Sequence, residues 1–265
     1  MESTPSSRGT ALVRRPSPRL AEGIVTHIAR TPVDVALAVR QHEAYVAALA
    51  ACGWRIVEVP PADDCPDSVF VEDIVVVCDR LAVVTRPGAP ERRPETSAVE
   101  ATLRGLGLTV ARIEEPGTLD GGDILQIGTT VYAGRGGRTN AEGIRQLRAH
   151  LATVGRRVVA VPLDKVLHLK SAATALPDGT CLVYGDLVET GGLPAVREVP
   201  EEAGAHVVLL GGDDVLIAAS APRTAALVAD LGYRPVVVDI TEFERLEGGV
   251  TCLSVLIPEA SRAAG

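Results

Sequence analysis

A recurring order of apolar strands and helical segments is the feature of this chain that most limits its possible folds. The triplet Gly-Gly-Asp begins at Gly121 in LDGGDILQIGTTVYAG and again at Gly211 in LLGGDDVLIAAS, 90 residues apart. A similar acid-rich start opens the apolar run DSVFVEDIVVV from Asp67, and GTCLVYGDLV from Gly179 is predicted to form a further hairpin. The spacing of the triplets corresponds to two units of roughly 45 residues each.

Helical segments and further strands complete this unit. Apolar residues recur at helical spacing in 34–52, 94–106, 140–154 and 222–231, and Val-rich strands follow at 55–59, 109–113, 157–162 and 234–238. Two strands, a helix and a strand cannot bury their apolar face alone, so we expect the units to pack in a ring as a propeller-like α/β fold. A doubly wound sheet is the alternative.

Composition narrows the choice of partner. Aromatic residues make up 3% of the chain and hydrophobic residues 46%, so Val, Leu, Ile and Ala must form the core, which favours strands. The net charge is −8, from 34 acidic and 26 basic residues. Because nucleic acid binding needs a basic face, a small cationic ligand is the better expectation.

Five cysteines, an odd number, occur without a CxxC pair and without a neighbouring histidine cluster. Neither a disulfide framework nor a metal site is predicted, and a cytoplasmic location suits such a chain. Cys52, Cys78 and Cys181 are interpreted as inert buried thiols, and Cys65 as an exposed loop thiol.

The chain is expected to fold as one catalytic domain. Residues 1–9 are polar and Ser/Pro-rich and are predicted to be a flexible tail, and no later stretch resembles a linker, so residues 10–265 form the predicted domain. No apolar run reaches the roughly 18 residues that a membrane span needs, so no membrane partner is expected.

Cys252 differs from the other four cysteines in its sequence context. It follows two glycines in EGGVTCLSV and precedes an apolar run, which is typical of a presented nucleophile. A guanidinium carbon is a poor electrophile, but carboxylates can hold the cation while a thiolate attacks and a histidine such as His168 protonates the leaving amine. A cationic substrate would itself favour the thiolate. The acids near strand starts are Asp67, Glu72, Asp73, Asp120, Asp123 and Asp213.

Ordered motifs extend this interpretation over most of the chain. They are DSVFVED at 67–73, TRPGAP at 85–90 followed by Arg92, GTLDGGD at 117–123, GRTN at 137–140, HLKS at 168–171 and GGVTCLSV at 248–255. With these motifs the chain resembles the dimethylarginine dimethylaminohydrolase family, within the guanidino-group-modifying (pentein) superfamily. The resemblance implies a five-bladed α/β propeller of ββαβ units with a central site, no organic cofactor and no catalytic metal.

The resemblance also implies roles for individual residues. Cys252 matches the nucleophile, His168 the proton donor and Asp120 the acid that orients the histidine. Arg93 directly follows Arg92, and the distance from TRPGAP selects Arg92 for the substrate carboxylate. A mobile lid is expected around residues 18–27. The implied substrate-binding residues are Glu72 and Asp73 for the guanidinium, Asp67, Arg92 and Arg138 for the amino-acid end, and the backbone oxygens of Leu20 and Leu246 for the amino group.

The leading functional prediction is hydrolysis of asymmetric N-methylated arginine to citrulline and a methylamine. The nearest alternative is a related guanidine hydrolase that acts on free arginine, citrulline or agmatine. A third possibility, from a different class, is a non-catalytic propeller that serves as a binding module. The expected partner is a small guanidino amino acid, and a homodimer is possible.

Overall fold

The computed structural model describes residues 8–259. Within this range short strands alternate with a few helices. In chain order the elements are β1 (Gly9–Val13), α1 (Val35–Ala51), β2 (Trp54–Glu58), β3 (Val75–Cys78), β4 (Leu81–Val84), α2 (Val99–Gly105), β5 (Thr109–Arg112), β6 (Ile124–Ile127), β7 (Thr130–Arg135), α3 (Ala141–Ala152), β8 (Arg157–Pro162), β9 (Ala173–Ala175), β10 (Cys181–Val183), β11 (Val196–Glu198), β12 (Val207–Gly211), β13 (Asp214–Ala218), α4 (Pro222–Asp230), β14 (Arg234–Val238), α5 (Thr241–Glu244) and β15 (Val255–Pro258).

The strands of the described range form five separate three-stranded sheets. Four are consecutive: β3–β4–β5, β6–β7–β8, β9–β10–β11 and β12–β13–β14. In each, the first pair is antiparallel and the second pair is parallel. The fifth sheet follows the same rule but joins distant parts of the chain, because β15 pairs antiparallel with β1, which pairs parallel with β2.

Apolar clusters between neighbouring sheets close the ring. In β4, Ala82 and Val84 pack in one cluster while Leu81 and Val83 pack in the next, since successive side chains of a strand point to opposite faces. The other clusters likewise join the second sheet to the third, the third to the fourth, and the fourth to the fifth. The predicted five-bladed propeller is therefore confirmed, and a single doubly wound sheet is wrong.

The helices lie close to their predicted positions. Asp34 and Asn140 cap α1 and α3 by accepting hydrogen bonds from the backbone N–H of Leu37 at 3.0 Å and of Gly143 at 2.8 Å. Helix α2 begins later than predicted, at Val99, because a 3₁₀ helix occupies Pro90–Thr96. The third blade contains no α-helix between β10 and β11, only a 3₁₀ turn at Thr190–Gly192.

Two details of the predicted repeat are wrong. Gly121–Asp123 precedes the inner strand β6, whereas Gly211 and Gly212 form the turn between β12 and β13, with φ of 94° and 57°. The two triplets are therefore not equivalent positions. The segment from Gly179 is not a hairpin either, because its strand β10 pairs with the upstream strand β9.

The ends of the chain and the thiols need two further corrections. Residues 1–7 of the predicted tail lie outside the described residues, but Gly9 belongs to β1 instead of the tail. Cys65 is buried, in contrast to the exposed thiol that was predicted. No helix in the range 8–259 is long and apolar enough to cross a membrane.

Candidate active site

Cys252 lies in the turn between α5 and β15, where backbone groups fix it. The backbone N–H of Gly249 donates to Sγ at 3.4 Å, and the N–H of Glu72 donates to the carbonyl oxygen of Cys252 at 3.2 Å. The pKa of the Cys252 thiol is raised to about 12. Burial is the largest cause, and the carboxylates of Glu72 and Asp73 add to it. The sulfur of the free protein is therefore a neutral thiol.

The two glycines that precede Cys252 in the turn lie in closely packed surroundings. Neither Gly248 nor Gly249 has a positive φ. A Cβ atom at Gly248 would collide with the ring of Phe70, and one at Gly249 would collide with the imidazole of His206. These glycines therefore leave room for two neighbouring rings, and neither position needs a positive φ.

His168 and Asp120 form a buried hydrogen-bonded pair. Nε2 of His168 lies 3.0 Å from Oδ2 of Asp120, and the backbone N–H of Gly88 donates to Oδ1 of Asp120 at 2.8 Å. The backbone N–H of Asp120 in turn donates to Oγ1 of Thr139 at 3.1 Å. This contact is the one that the family resemblance implied, and it directs Nδ1 of His168 away from Asp120.

Asp73 lies on the other side of His168 and stabilises its protonated form. Oδ1 of Asp73 lies 3.8 Å from Nδ1 of His168, and Oδ2 lies 2.5 Å from Nη1 of Arg92. Burial disfavours ionisation of Asp73, but His168 and Arg92 outweigh it and lower its pKa to about 2. Burial likewise lowers the pKa of His168, but Asp73 and Asp120 raise it to about 9 overall. At neutral pH the site therefore contains an imidazolium beside a neutral thiol.

Asp123 ties down the turn that carries the histidine. Its Oδ1 accepts from the backbone N–H of Leu169 at 3.0 Å, and its Oδ2 accepts from Oγ1 of Thr139 at 2.5 Å. Burial raises the pKa of Asp123 to about 6. Of the two acids of the LDGGD segment, Asp120 thus contacts the imidazole of His168 and Asp123 contacts the backbone of the turn, which are the contacts that were expected of them.

Atoms of Asp73, Asp120 and His168 that could bind a cation lie within 4.8 Å of one another. Each acid is already engaged, because Asp73 pairs with Arg92 and Asp120 accepts from Gly88. That no metal is required stays a prediction.

The two arginines chosen for the substrate carboxylate differ in their surroundings. Arg92 is 5% exposed, and its Nε and Nη2 donate to both carboxylate oxygens of Glu95 at 3.0 and 2.9 Å. Its Nη1 also bonds Asp73, so most of its donors are used within the protein. Arg138 lines the same cavity, and within residues 8–259 its one ion-pair contact is with Asp120, at 3.7 Å. Arg93 does not line the cavity and instead donates to the carbonyl of Pro87 at 3.3 Å.

Two of the groups expected at the amino end of the substrate, Asp67 and the carbonyl oxygen of Leu20, converge around Gly23, whereas Leu246 approaches it through its side chain. A Cβ atom there would lie 2.7 Å from Oδ1 of Asp67, 3.2 Å from the carbonyl oxygen of Leu20 and 3.3 Å from Leu246. Asp67 also accepts from the backbone N–H of Ile24 at 3.2 and 3.1 Å. Burial raises the pKa of Asp67. Two oxygen acceptors and an apolar side chain therefore surround one small space.

Glu72 is not brought into this cavity. Its carboxylate pairs with the ammonium of Lys170, and both line a separate cavity of about 210 Å³. Its backbone still contacts Cys252. The implied contact between Glu72 and a guanidinium stays a prediction, since the Glu72 carboxylate lies near enough to Cys252 to raise the pKa of the thiol. Asp73 lies beside His168.

The cavity that contains Cys252 and His168 is small in this structure, with a volume of about 20 Å³. The motifs contained several of its lining residues without assigning them a role, and Glu95 had only its position three residues after Arg92 as a signal. The lining residues that sequence reasoning missed are Ile24, Phe70, Leu167, Glu247 and Gly248.

A pH-dependent alkylation experiment tests the protonation state of the thiol. Because the pKa of Cys252 is raised to about 12 by burial, the thiolate fraction should grow by about tenfold for each pH unit in the neutral range. The rate of Cys252 carbamidomethylation by iodoacetamide, followed by intact mass, should rise accordingly from pH 7 to pH 9. A rate that levels off near pH 7 would show that the thiolate is already formed in the free protein.

Comparisons with known proteins agree with this geometry. A family model described as arginine deiminase matches residues 57–238. An N(G),N(G)-dimethylarginine dimethylaminohydrolase of Streptomyces coelicolor is 64% identical over 94% of this chain and 97% of its own length. The protein of the same name from Pseudomonas aeruginosa is 40% identical over 92% of this chain and 97% of its own length.

A solved structure extends the likeness to the fold. The crystal structure of a dimethylarginine dimethylaminohydrolase variant in adduct with S-methyl-L-thiocitrulline matches with a TM-score of 0.89 and 38% identity, covering 94% of this chain and 99% of that one. The ring of sheets and the site that its blades form thus define a protein of the guanidino-group-modifying (pentein) superfamily. Within that superfamily, the chain belongs to the dimethylarginine dimethylaminohydrolase family. The resemblance that the motifs indicated is confirmed.

Proposed function

We propose that this protein hydrolyses asymmetric N-methylated L-arginine to L-citrulline and dimethylamine or methylamine. The observation that carries the proposal is a single cavity lined by Cys252, His168, Asp73 and Arg138. The name of the 64% identical relative supports the same substrate, and a related structure holds citrulline. The small cationic ligand that the net charge favoured agrees with a guanidinium substrate.

The first half of the reaction displaces the amine. The guanidinium cation beside Sγ favours transfer of the thiol proton to solvent, which offsets the raised pKa of Cys252. The thiolate then forms a bond to the central carbon, while Asp73 lies where it can hold the guanidinium. The proton on Nδ1 of His168 passes to the methylated nitrogen, the carbon–nitrogen bond breaks, and a neutral amine leaves behind a covalent thiouronium.

The second half restores the thiol. Nδ1 of His168, now without its proton, takes a proton from water as the water oxygen attacks the same carbon. The carbon–sulfur bond breaks, citrulline forms, and the released amine is protonated in solvent. Throughout, the hydrogen bond from Nε2 to Asp120 keeps the imidazole in one orientation.

Arg138 is expected to read the carboxylate of the substrate, since most donors of Arg92 are already used. Arg138→Ala should raise KM for dimethylarginine by roughly tenfold or more, because a hydrogen bond to a charged group contributes about 1.5 to 3 kcal/mol. Steady-state kinetics with dimethylarginine and with N-methylated agmatine, which lacks the carboxylate, would measure this. Arg135→Ala, at an exposed arginine nearby in sequence, is the control.

The selectivity of the loss decides the role of Arg138. KM for the carboxylate-free substrate should barely change in Arg138→Ala. Equal losses for both substrates would mean that Arg138 acts only through its contact with Asp120, 3.7 Å away, and the carboxylate assignment would be wrong.

The substrate class is tested by direct comparison. The purified protein would be incubated with dimethylarginine, monomethylarginine, arginine and agmatine, and citrulline or carbamoyl product would be measured for each. Methylated arginines should be turned over fastest. Preference for free arginine or agmatine would support the alternative of a related guanidine hydrolase, and failure to turn over any of them would support a non-catalytic binding module.

A further inference from the structure

Glu247 bonds an exposed segment whose first residue, Ile24, lines the cavity that contains Cys252. Its carboxylate accepts from the backbone N–H of Thr26 at 3.0 Å, of Ile28 at 2.9 Å and of His27 between them. The hydroxyl of Thr26 also donates to the other carboxylate oxygen at 3.2 Å. Three successive backbone donors thus converge on one side chain that lies about 220 residues away in sequence. Residues 24–28 are termed the covering segment below.

The position of Glu247 is unusual in two respects. Its φ is 62°, a left-handed conformation that a residue with a side chain seldom adopts. Its side chain is only 5% exposed, although the covering segment is mostly exposed. The neighbouring Leu246 and Gly248 line the catalytic cavity together with Glu247. The residue therefore connects the backbone of the cavity with the covering segment.

The covering segment has a second anchor, at Asp67. The backbone N–H of Ile24 donates to the carboxylate of Asp67. A substrate ammonium would compete for these oxygens, since Asp67 lies at the proposed amino end. The contacts of Glu247 involve no group that the proposed substrate binding uses. They can therefore persist while substrate is bound.

We propose that Glu247 is a positioning residue that holds the covering segment over bound substrate. The cavity of about 20 Å³ is too small for a guanidino amino acid, so the segment must move for substrate to enter. Glu247 then determines how completely the covering segment returns to its place over the cavity. The inference rests on the proposed function for its kinetic consequence, but the contacts themselves can be tested without turnover.

Glu247→Ala should raise KM for dimethylarginine by roughly tenfold or more, since several charge-assisted hydrogen bonds are lost. It should lower kcat much less, because the nucleophile and the imidazole are untouched. Glu247→Gln, which keeps the shape and one acceptor oxygen, should show an intermediate rise in KM. The control is Glu142→Ala, which removes a carboxylate that pairs with Arg145 on the surface of α3, away from the covering segment.

Two measurements without substrate separate this role from general stability and from failure of the proposed function. Amide hydrogen exchange of Thr26, His27 and Ile28 should become faster in Glu247→Ala but not in Glu142→Ala. Alkylation of Cys252 by iodoacetamide should also become severalfold faster, because the cavity opens more often. Unchanged exchange and unchanged alkylation in Glu247→Ala would overturn the proposal, as would faster exchange spread over all five sheets. Faster local exchange in a protein that turns over no guanidine would overturn only the proposed function.

Discussion

Cys252→Ala should abolish turnover of dimethylarginine, with a fall in kcat of at least about 10⁴-fold, because removal of a covalent nucleophile leaves only binding and electrostatic contributions. One histidine and several carboxylates line the cavity, but none of the described lining residues is a second thiol or a serine. Stopped assays for citrulline over many hours would set the limit on residual activity.

A matched thiol control makes this result specific. Cys52→Ala removes a half-buried thiol that caps α1, far in sequence from the catalytic turn, and should leave kcat unchanged. Intact-mass analysis of acid-quenched wild-type protein should reveal a covalent adduct that Cys252→Ala lacks. Near-normal turnover by Cys252→Ala would refute covalent catalysis by this residue.

His168→Gly should lower kcat by on the order of 10²- to 10⁴-fold, the usual contribution of general acid–base catalysis. The pKa of His168 is raised to about 9 by the surrounding carboxylates, so the residue is protonated at neutral pH and suited to the first step. Its loss should also slow attack by water. The adduct on Cys252 should therefore form slowly and then persist, which a time course of intact mass would follow.

The control for this experiment is His150→Ala. His150 contacts the carbonyl of Arg112 near the outside of the propeller and should not affect the adduct. If the adduct in His168→Gly clears at the wild-type rate, His168 has no role in the hydrolytic half of the reaction.

Much of the fold could be predicted because its signals are local. Asp34 and Asn140 begin helices by capping them, and the Val-rich strands that follow the helices lie within a residue of their predicted limits. The equivalence of the two Gly-Gly-Asp triplets was wrong because a glycine pair serves two different purposes. At Gly211 it permits a positive φ, whereas at Gly121 it permits close approach to the backbone of Glu72.

The motifs brought the right residues to the site but could not fix their contacts. Whether Arg92 faces a substrate or Glu95 depends on which buried acids lie within reach, and that is set by packing between the 3₁₀ helix and the turn before β3. Glu247 carries no signal at all, since its partners lie more than 200 residues away. Contacts between distant segments leave no periodicity in the sequence.

The pairing of β15 with β1 ties catalysis to completion of the ring. Cys252 is three residues from β15, and Thr10 of β1 pairs with Ile257 of β15. During synthesis the first four blades can form before this last strand emerges, since a chain leaves the ribosome from its N-terminus. The nucleophile is then held in its turn only when the last strand docks. Enzymatic activity therefore requires that the ring of the propeller is closed. A chain stalled with four finished blades would contain His168 and Asp120 but would be inactive.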